Sequence, residues 1–180
     1  MAYEYAIELF FDEISDTKIR HSWARIAEKA GLPNKMAEAA GSRPHISVGV
    51  FGIAKLEALL NALKNLSQEQ SIFEIRLDSL GIFPKPGVLF FGPAANRQLL
   101  EFHQRCFEKT FDFVDDWEDY YRPERIIFHC TINLGLDADE LLKAVSVGLE
   151  TSFPMVVKAV GLGLVKLPEG DFIGSFPLKE

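Results

Sequence analysis

The stretch RPHISVGV, residues 43 to 50, sets His45 and Ser47 two places apart, and IIFHCTINL, residues 126 to 134, repeats the arrangement with His129 and Thr131. In an extended strand residues i and i+2 share a face, so each stretch presents an imidazole beside a hydroxyl. Imidazole, with an unperturbed pKa near ~6.5, gives or takes a proton close to neutral pH. A neighbouring hydroxyl can hydrogen-bond an anionic oxygen. Two such pairs facing each other across a cleft suit a phosphodiester. One neutral imidazole deprotonates the attacking water or hydroxyl, a protonated one supplies the leaving oxygen, and the hydroxyls stabilise charge on the phosphate. A core histidine satisfied by a nearby hydroxyl would account for one such site, but it accounts poorly for a matched pair. Which histidine is base and which is acid stays open.

Hydrophobic periodicity supplies the elements that must position these residues. YEYAIELFF, residues 3 to 11, reads as a strand, and DTKIRHSWARIAEKAG as a helix that stops at Gly31 with Pro33 beyond. The His45 strand follows a polar loop. AKLEALLNALKNL repeats Leu56, Leu59, Leu60, Leu63 and Leu66 as an amphipathic helix, and SIFEIRLDSLGIF is a long strand with one irregularity. After the turn PKPG the plan restarts. VLFFGP is a strand, NRQLLEFHQRCFEKTF a helix striped by Leu99, Phe102, Cys106 and Phe107, and the aromatic loop DFVDDWEDYYRPER leads into the His129 strand. DADELLKAVSVGLE follows, an Asp-capped helix with Leu141, Leu142, Val145 and Leu149 on its stripe. SFPMVVKAVGLGLV and DFIGSFP close the chain as strands around KLPEG.

Strand, helix, His strand, helix, strand therefore occurs twice, in repeats of approximately 1–85 and 86–180. The expected class is α+β. A bilobal arrangement follows if a pseudo-two-fold axis relates the repeats, with antiparallel-rich sheets lining a central cleft and helices outside. Residues 1–180 are expected to form a single bilobal domain.

A formal charge of −7 argues against gripping long nucleic acid, which needs dense Lys/Arg surfaces. It leaves room for a short nucleotide or RNA end held by a few basic residues. No apolar run reaches the length of a membrane span, and the N-terminus lacks the basic region of a signal peptide. No membrane association, a cytoplasmic location and a monomer are expected. Cys106 and Cys130 form no CxxC pattern, and Cys130 should point to the face opposite His129 and Thr131. The four histidines and two cysteines show no metal-ligand spacing, and no phosphate-cradling glycine pattern leads into a helix. Neither metal nor cofactor is expected. His21 and His103, in the outer helices, read as structural or solvent-facing.

HISV and HCTI, with AIELFF opening the chain, resemble the 2H phosphoesterases, and within them the 2'-5' RNA ligase and cyclic phosphodiesterase group. That resemblance implies metal-independent opening of 2',3'-cyclic nucleotide phosphates, or hydrolysis or joining of RNA ends through a 2'-5' linkage. It also implies His45 and His129 as the acid-base pair and Ser47 and Thr131 as phosphate-binding groups. Two departures stand out: neither motif is followed by a basic residue, and Ser replaces the commoner Thr in the first. Basic contacts would then come from Arg43, Lys85, Arg122 or Arg125, and base stacking from Trp117, Tyr120 or Tyr121. The aromatic residues serve equally well as packing under their loop. A non-catalytic module that binds a nucleotide or phosphate in the same cleft remains the alternative.

Overall fold

Side chains along β1 (Tyr5–Phe11) are buried on both faces, which places this strand inside a sheet rather than at its edge. The computed structural model describes residues 3–38, 42–52, 54–168 and 170–180. Part of the loop expected before the His45 strand, and Glu169 of the KLPEG turn, lie outside them. The further strands are β2 (His45–Phe51), β3 (Phe73–Phe83), β4 (Val88–Pro93), β5 (Cys130–Asn133), β6 (Met155–Lys166) and β7 (Asp171–Pro177). The helices are α1 (Glu13–Ala30), the single turn α2 (Lys35–Glu38), α3 (Leu56–Glu69), α4 (Arg97–Thr110) and α5 (Ala138–Gly148).

Local chemistry sets the helix ends. The Asp12 side chain accepts from the Ser15 amide, so α1 begins three residues before the quoted apolar pattern, and Gly31 ends it in the left-handed conformation at φ 67°. Asp137 and Glu140 close a reciprocal capping box on α5. One stripe differs from expectation: Leu142 of α5 and Leu149 just past its end are exposed, and the helix buries Leu141, Ala144 and Gly148 instead. Small residues at 144 and 148 let the helix sit close to the sheet, where a Cβ on Gly148 would lie 2.7 Å from Leu80. The apolar-residue stripe is therefore rotated from the face in contact.

These seven strands pair antiparallel throughout, in the order β2-β1-β6-β3-β4-β5 with β7 on β6. Exchanging each strand of the first repeat with its counterpart in the second reads this order backwards. The exchange also shows how the repeats interlock. The third strand of each repeat joins the other's strands: β6 lies beside β1, and β3 beside β4. Helices cross over too, since α1 packs on α5 and β5 while α4 packs on α3 and β2. Trp23, buried in α1, fastens the first of these crossings by donating from Nε1 to the Thr131 carbonyl at 2.9 Å. The continuous apolar core runs under both helix pairs. Although β2 and β5 end the strand order, their Cα atoms approach within 8 Å. The sheet thus curves until its two His-bearing ends meet. Among the described residues no helix is long and apolar enough to cross a membrane.

Candidate active site

His45 opens β2, and His129 stands one residue ahead of β5. Both rings are anchored alike. His45 Nδ1 lies 2.6 Å from the Arg43 carbonyl oxygen, and His129 Nδ1 lies 2.8 Å from that of Ile127. A carbonyl only accepts, so Nδ1 carries the hydrogen in each ring and Nε2 is the nitrogen left for chemistry. Cys130 points into the core as alternation requires. Burial pushes its thiol up to about 12, opposed by a backbone contact from His45, so it is packing and not a nucleophile.

A phenylalanine backs each imidazole, and a glycine makes room for it. Phe10 packs edge-on against His45 at 6.5 Å between ring centres, and Phe90 packs against His129 at 5.5 Å. A Cβ on Gly163 would sit 2.4 Å from the Phe10 ring, and one on Gly81 would sit 2.4 Å from the Phe90 ring. The two strands beneath the rings are interchanged members of the repeats, β6 and β3.

Beyond that shared frame the two sites differ. His129 is enclosed by Phe83 at 5.0 Å, Phe90, and Tyr121 at 6.5 Å between ring centres. Burial lowers its pKa, the Ile127 carbonyl opposes this, and the charge of His45 lowers it further. The charge of His45 thus reaches His129. His45 instead has a carboxyl beside it, with Nε2 3.5 Å from Glu8 Oε1. Glu8 is buried, and burial raises its pKa against the opposing pull of His45. The hydroxyl residues follow the same split. Ser47 pairs with Glu8 across β1 and β2, whereas Thr131 pairs with Phe90 across β4 and β5.

The structure sorts the remaining candidates. A cleft of about 450 Å³ opens on the His129 side, lined by Lys85, Tyr120, Tyr121 and Arg125 with Phe83 among its apolar walls. Tyr120 is exposed in it. Tyr121 belongs to the loop of the second repeat, yet its phenol lies beside Ser47 of the first. Burial pushes that phenol up to about 12, opposed by the Ser47 hydroxyl and reinforced by Glu118 and Glu8. Arg125 pairs with Asp119 at the rim.

Three candidates do not line that cleft. Trp117 is buried against Phe51 and Phe107, at 5.6 and 5.0 Å between ring centres, so it packs under its loop. Arg122 is held by Asp119 at 3.1 Å and lies over Phe111, outside the cleft. Arg43 offers its carbonyl to His45, while its guanidinium lies over Phe10 at 5.0 Å and faces Asp16 at 3.8 Å. Sequence reasoning missed Glu8. Its only signal was a carboxylate inside the apolar strand AIELFF, where an acidic residue should be expensive. His103 proves buried, its Nε2 2.9 Å from the Tyr121 carbonyl, and so supports the loop that carries Tyr121.

Among the described residues no group of three or more His, Cys, Asp or Glu is gathered in metal-binding fashion. A larger, shallower hollow lined by His21, Arg25 and Glu150 contains neither motif.

Residues 15–171 match the 2'-5' RNA ligase superfamily. No curated protein gives a significant match. Among solved structures, Escherichia coli LigT complexed with 3'-AMP is 15% identical, with a TM-score of 0.64 over 99% of each chain. A protein described as a phosphoesterase is 19% identical, with a TM-score of 0.58 over 99% of this chain and 97% of the other. Kluyveromyces marxianus Usb1 is 11% identical, with a TM-score of 0.51 over 98% of this chain and 97% of its own. At these identities the likeness is one of fold.

Proposed function

The chain belongs to the 2'-5' RNA ligase superfamily, and on that premise we propose that it is a phosphoesterase acting at the ends of short RNAs or on nucleotides. Its reactions are the opening of 2',3'-cyclic phosphates and the cleavage or joining of 2'-5' linkages. The observation that carries this reading is the pair of Nδ1 bonds to the carbonyls of Arg43 and Ile127. They leave an Nε2 available on each of two imidazoles, and the charge of His45 reaches His129.

His129, kept neutral by its apolar surroundings, takes the proton of the attacking water or hydroxyl on Nε2. His45 gives its Nε2 proton to the leaving oxygen, and solvent restores both groups afterwards. Ser47 and Thr131 hydrogen-bond the non-bridging phosphate oxygens as charge accumulates. The cleft beside His129 takes the nucleoside, with Tyr120 and Tyr121 offering ring faces and Lys85 and Arg125 offering charge. Its volume lies in the range of small-molecule sites, and a neighbour of the same fold was crystallised with 3'-AMP. The formal charge of −7 favours such a short substrate over long RNA.

Hydrolysis of a 2',3'-cyclic nucleotide by wild type, His45→Ala and His129→Ala tests the proposal. Wild-type turnover with a loss of at least ~100-fold in each variant is expected for removal of a general acid or base. Turnover retained by both single variants sinks the two-histidine mechanism. Tight nucleotide binding by wild type with no product after long incubation would instead favour a binding module.

A further inference from the structure

The first repeat departs from the second at one position in the floor of the site. In the second, Phe90 of β4 lies between Thr131 on one side and Gly81 on the other. In the first, the residue between Ser47 and Gly163 is Glu8 of β1. Each strand has a register shift just before this residue, between Ile7 and Glu8 and between Leu89 and Phe90, so the two positions correspond. The space over Gly163 is not left empty by the exchange, because the Phe10 ring fills it from two residues along.

An apolar residue would therefore fit the packing plan, and a carboxyl at 7% exposure carries a desolvation cost. Among the described residues no lysine or arginine pairs with it. Its ionic contact is His45, with Oε1 3.5 Å from Nε2. That contact falls on the one ring nitrogen the Arg43 carbonyl leaves available.

We propose that Glu8 is a positioning residue that holds a proton on Nε2 of His45, which makes His45 the general acid and leaves His129 as the base. This role rests on the phosphoesterase reading above. Within the pair one proton is shared, either as imidazolium beside carboxylate or as imidazole beside a carboxylic acid, and burial of Glu8 keeps both arrangements within reach. In turnover that proton leaves from Nε2 to the departing oxygen, and a solvent proton replaces it. Glu8 transfers nothing to substrate.

The other titratable or charged groups near the pair are Tyr121 and Cys130, both raised to about 12 and so protonated across neutral pH, Arg43, whose guanidinium lies over the Phe10 ring behind His45 and faces Asp16, and His129, whose pKa the charge of His45 lowers. Glu118 acts on Tyr121 from the same loop. From the adjoining strands Ser47 and Gly163 face Glu8, and neither ionises in this range.

Glu8→Gln and Glu8→Asp, measured for pH dependence of kcat/KM and for the pH response of the His45 ring by NMR, test the assignment. In Glu8→Gln the alkaline limb should move to lower pH by about one unit, as expected on removing an opposite charge at this range. KM should change less than two-fold, and the melting temperature near neutral pH should not fall, since a neutral amide costs less to bury. Glu8→Asp should restore part of the shift. Wild-type turnover with an unmoved alkaline limb and an unmoved His45 response in Glu8→Gln overturns the role of Glu8 alone. Absence of turnover in wild type, with the His45 response still shifted in Glu8→Gln, overturns the phosphoesterase reading and leaves the proton-sharing pair standing.

Discussion

His129 donates its Nδ1 hydrogen to the Ile127 carbonyl two residues upstream at 2.8 Å. The same bond ties His45 to Arg43. A main-chain acceptor cannot be removed by a side-chain substitution, so the tautomer is written into the strand's entry geometry. Nitrogen-15 NMR of the neutral rings should find both histidines protonated on Nδ1. A ring protonated on Nε2 would place the reactive nitrogen against the backbone and contradict the arrangement.

The apolar enclosure of His129 has a pH consequence with a definite sign. Burial lowers its pKa below the ordinary ~6.5. As a general base it therefore stays neutral as pH falls through ~6.5, and the acid limb of kcat/KM should lie below that value. Stability follows the same shift. The unfolded chain binds the proton at ~6.5, the folded protein only at lower pH, so stability is full above ~6.5 and is lost as pH falls toward the folded value. His103, lowered chiefly by burial, adds to the loss. Thermal melts between pH 8 and 5 should fall more steeply for wild type than for His129→Gln. Equal slopes would count against the lowered value.

Tyr121 joins the repeats at the site, because its phenol lies beside Ser47 while its ring faces His129. Raised to about 12, it remains a hydrogen-bond donor throughout the neutral range. Tyr121→Phe should keep the ring packing and lose one hydrogen bond, worth about 1 kcal/mol or roughly five-fold in kcat/KM. Unchanged kcat/KM in the variant would reduce Tyr121 to a wall of the cleft.

Arg122 and Arg125 are nearly adjacent, yet the structure places them differently. Arg125 lines the cleft and Arg122 lies over Phe111. Arg125→Ala should raise KM for a nucleotide phosphate several-fold with kcat little changed, as loss of a ground-state contact does. Arg122→Ala should leave KM alone. Equal effects in steady-state kinetics would mean that the loop rearranges on binding.

The two imidazole-hydroxyl pairs were legible because period-two alternation and duplication both act through local sequence. His45, Ser47 and Thr131 lie on β2 and β5 with His129 one residue ahead of β5, and alternation puts each imidazole and its hydroxyl on the face opposite the core residues Ile46 and Cys130. What alternation cannot convey is which strand lies alongside. Glu8 matters through its pairing with Ser47, a contact across β1 and β2, and an acidic residue in AIELFF gives no hint of its neighbour. The crossing of β3 and β6 between the repeats was hidden for the same reason. Periodicity finds the strands and their tight turns, whereas the order of distant strands depends on how both repeats bury their helices. The α5 stripe misled because burial followed the small residues Ala144 and Gly148, which permit close approach, and left Leu142 and Leu149 outside.

Trp117 separates packing from recognition. Its ring is buried against Phe51 and Phe107, and it lies so close to the main chain of β2 that a Cβ on Gly49 would be 2.7 Å from it. Glu118 follows, its backbone N–H donating a hydrogen bond to the Val50 carbonyl at 2.8 Å, so the loop carrying Tyr121 is pinned to the strand carrying His45. Trp117→Ala should cost about 3–5 kcal/mol of stability, the usual range for emptying a buried aromatic site. Gly49→Ala should also destabilise, because the added methyl meets a rigid indole rather than a flexible chain end. Trp117→Phe keeps an aromatic ring in the space and should leave KM for nucleotide within two-fold of wild type while lowering the melting temperature. Chemical denaturation and steady-state kinetics on the same three variants distinguish the roles. If Trp117→Phe raised KM strongly with stability intact, the indole would have to reach the ligand, and the packing of this loop on β2 would be the part to revise.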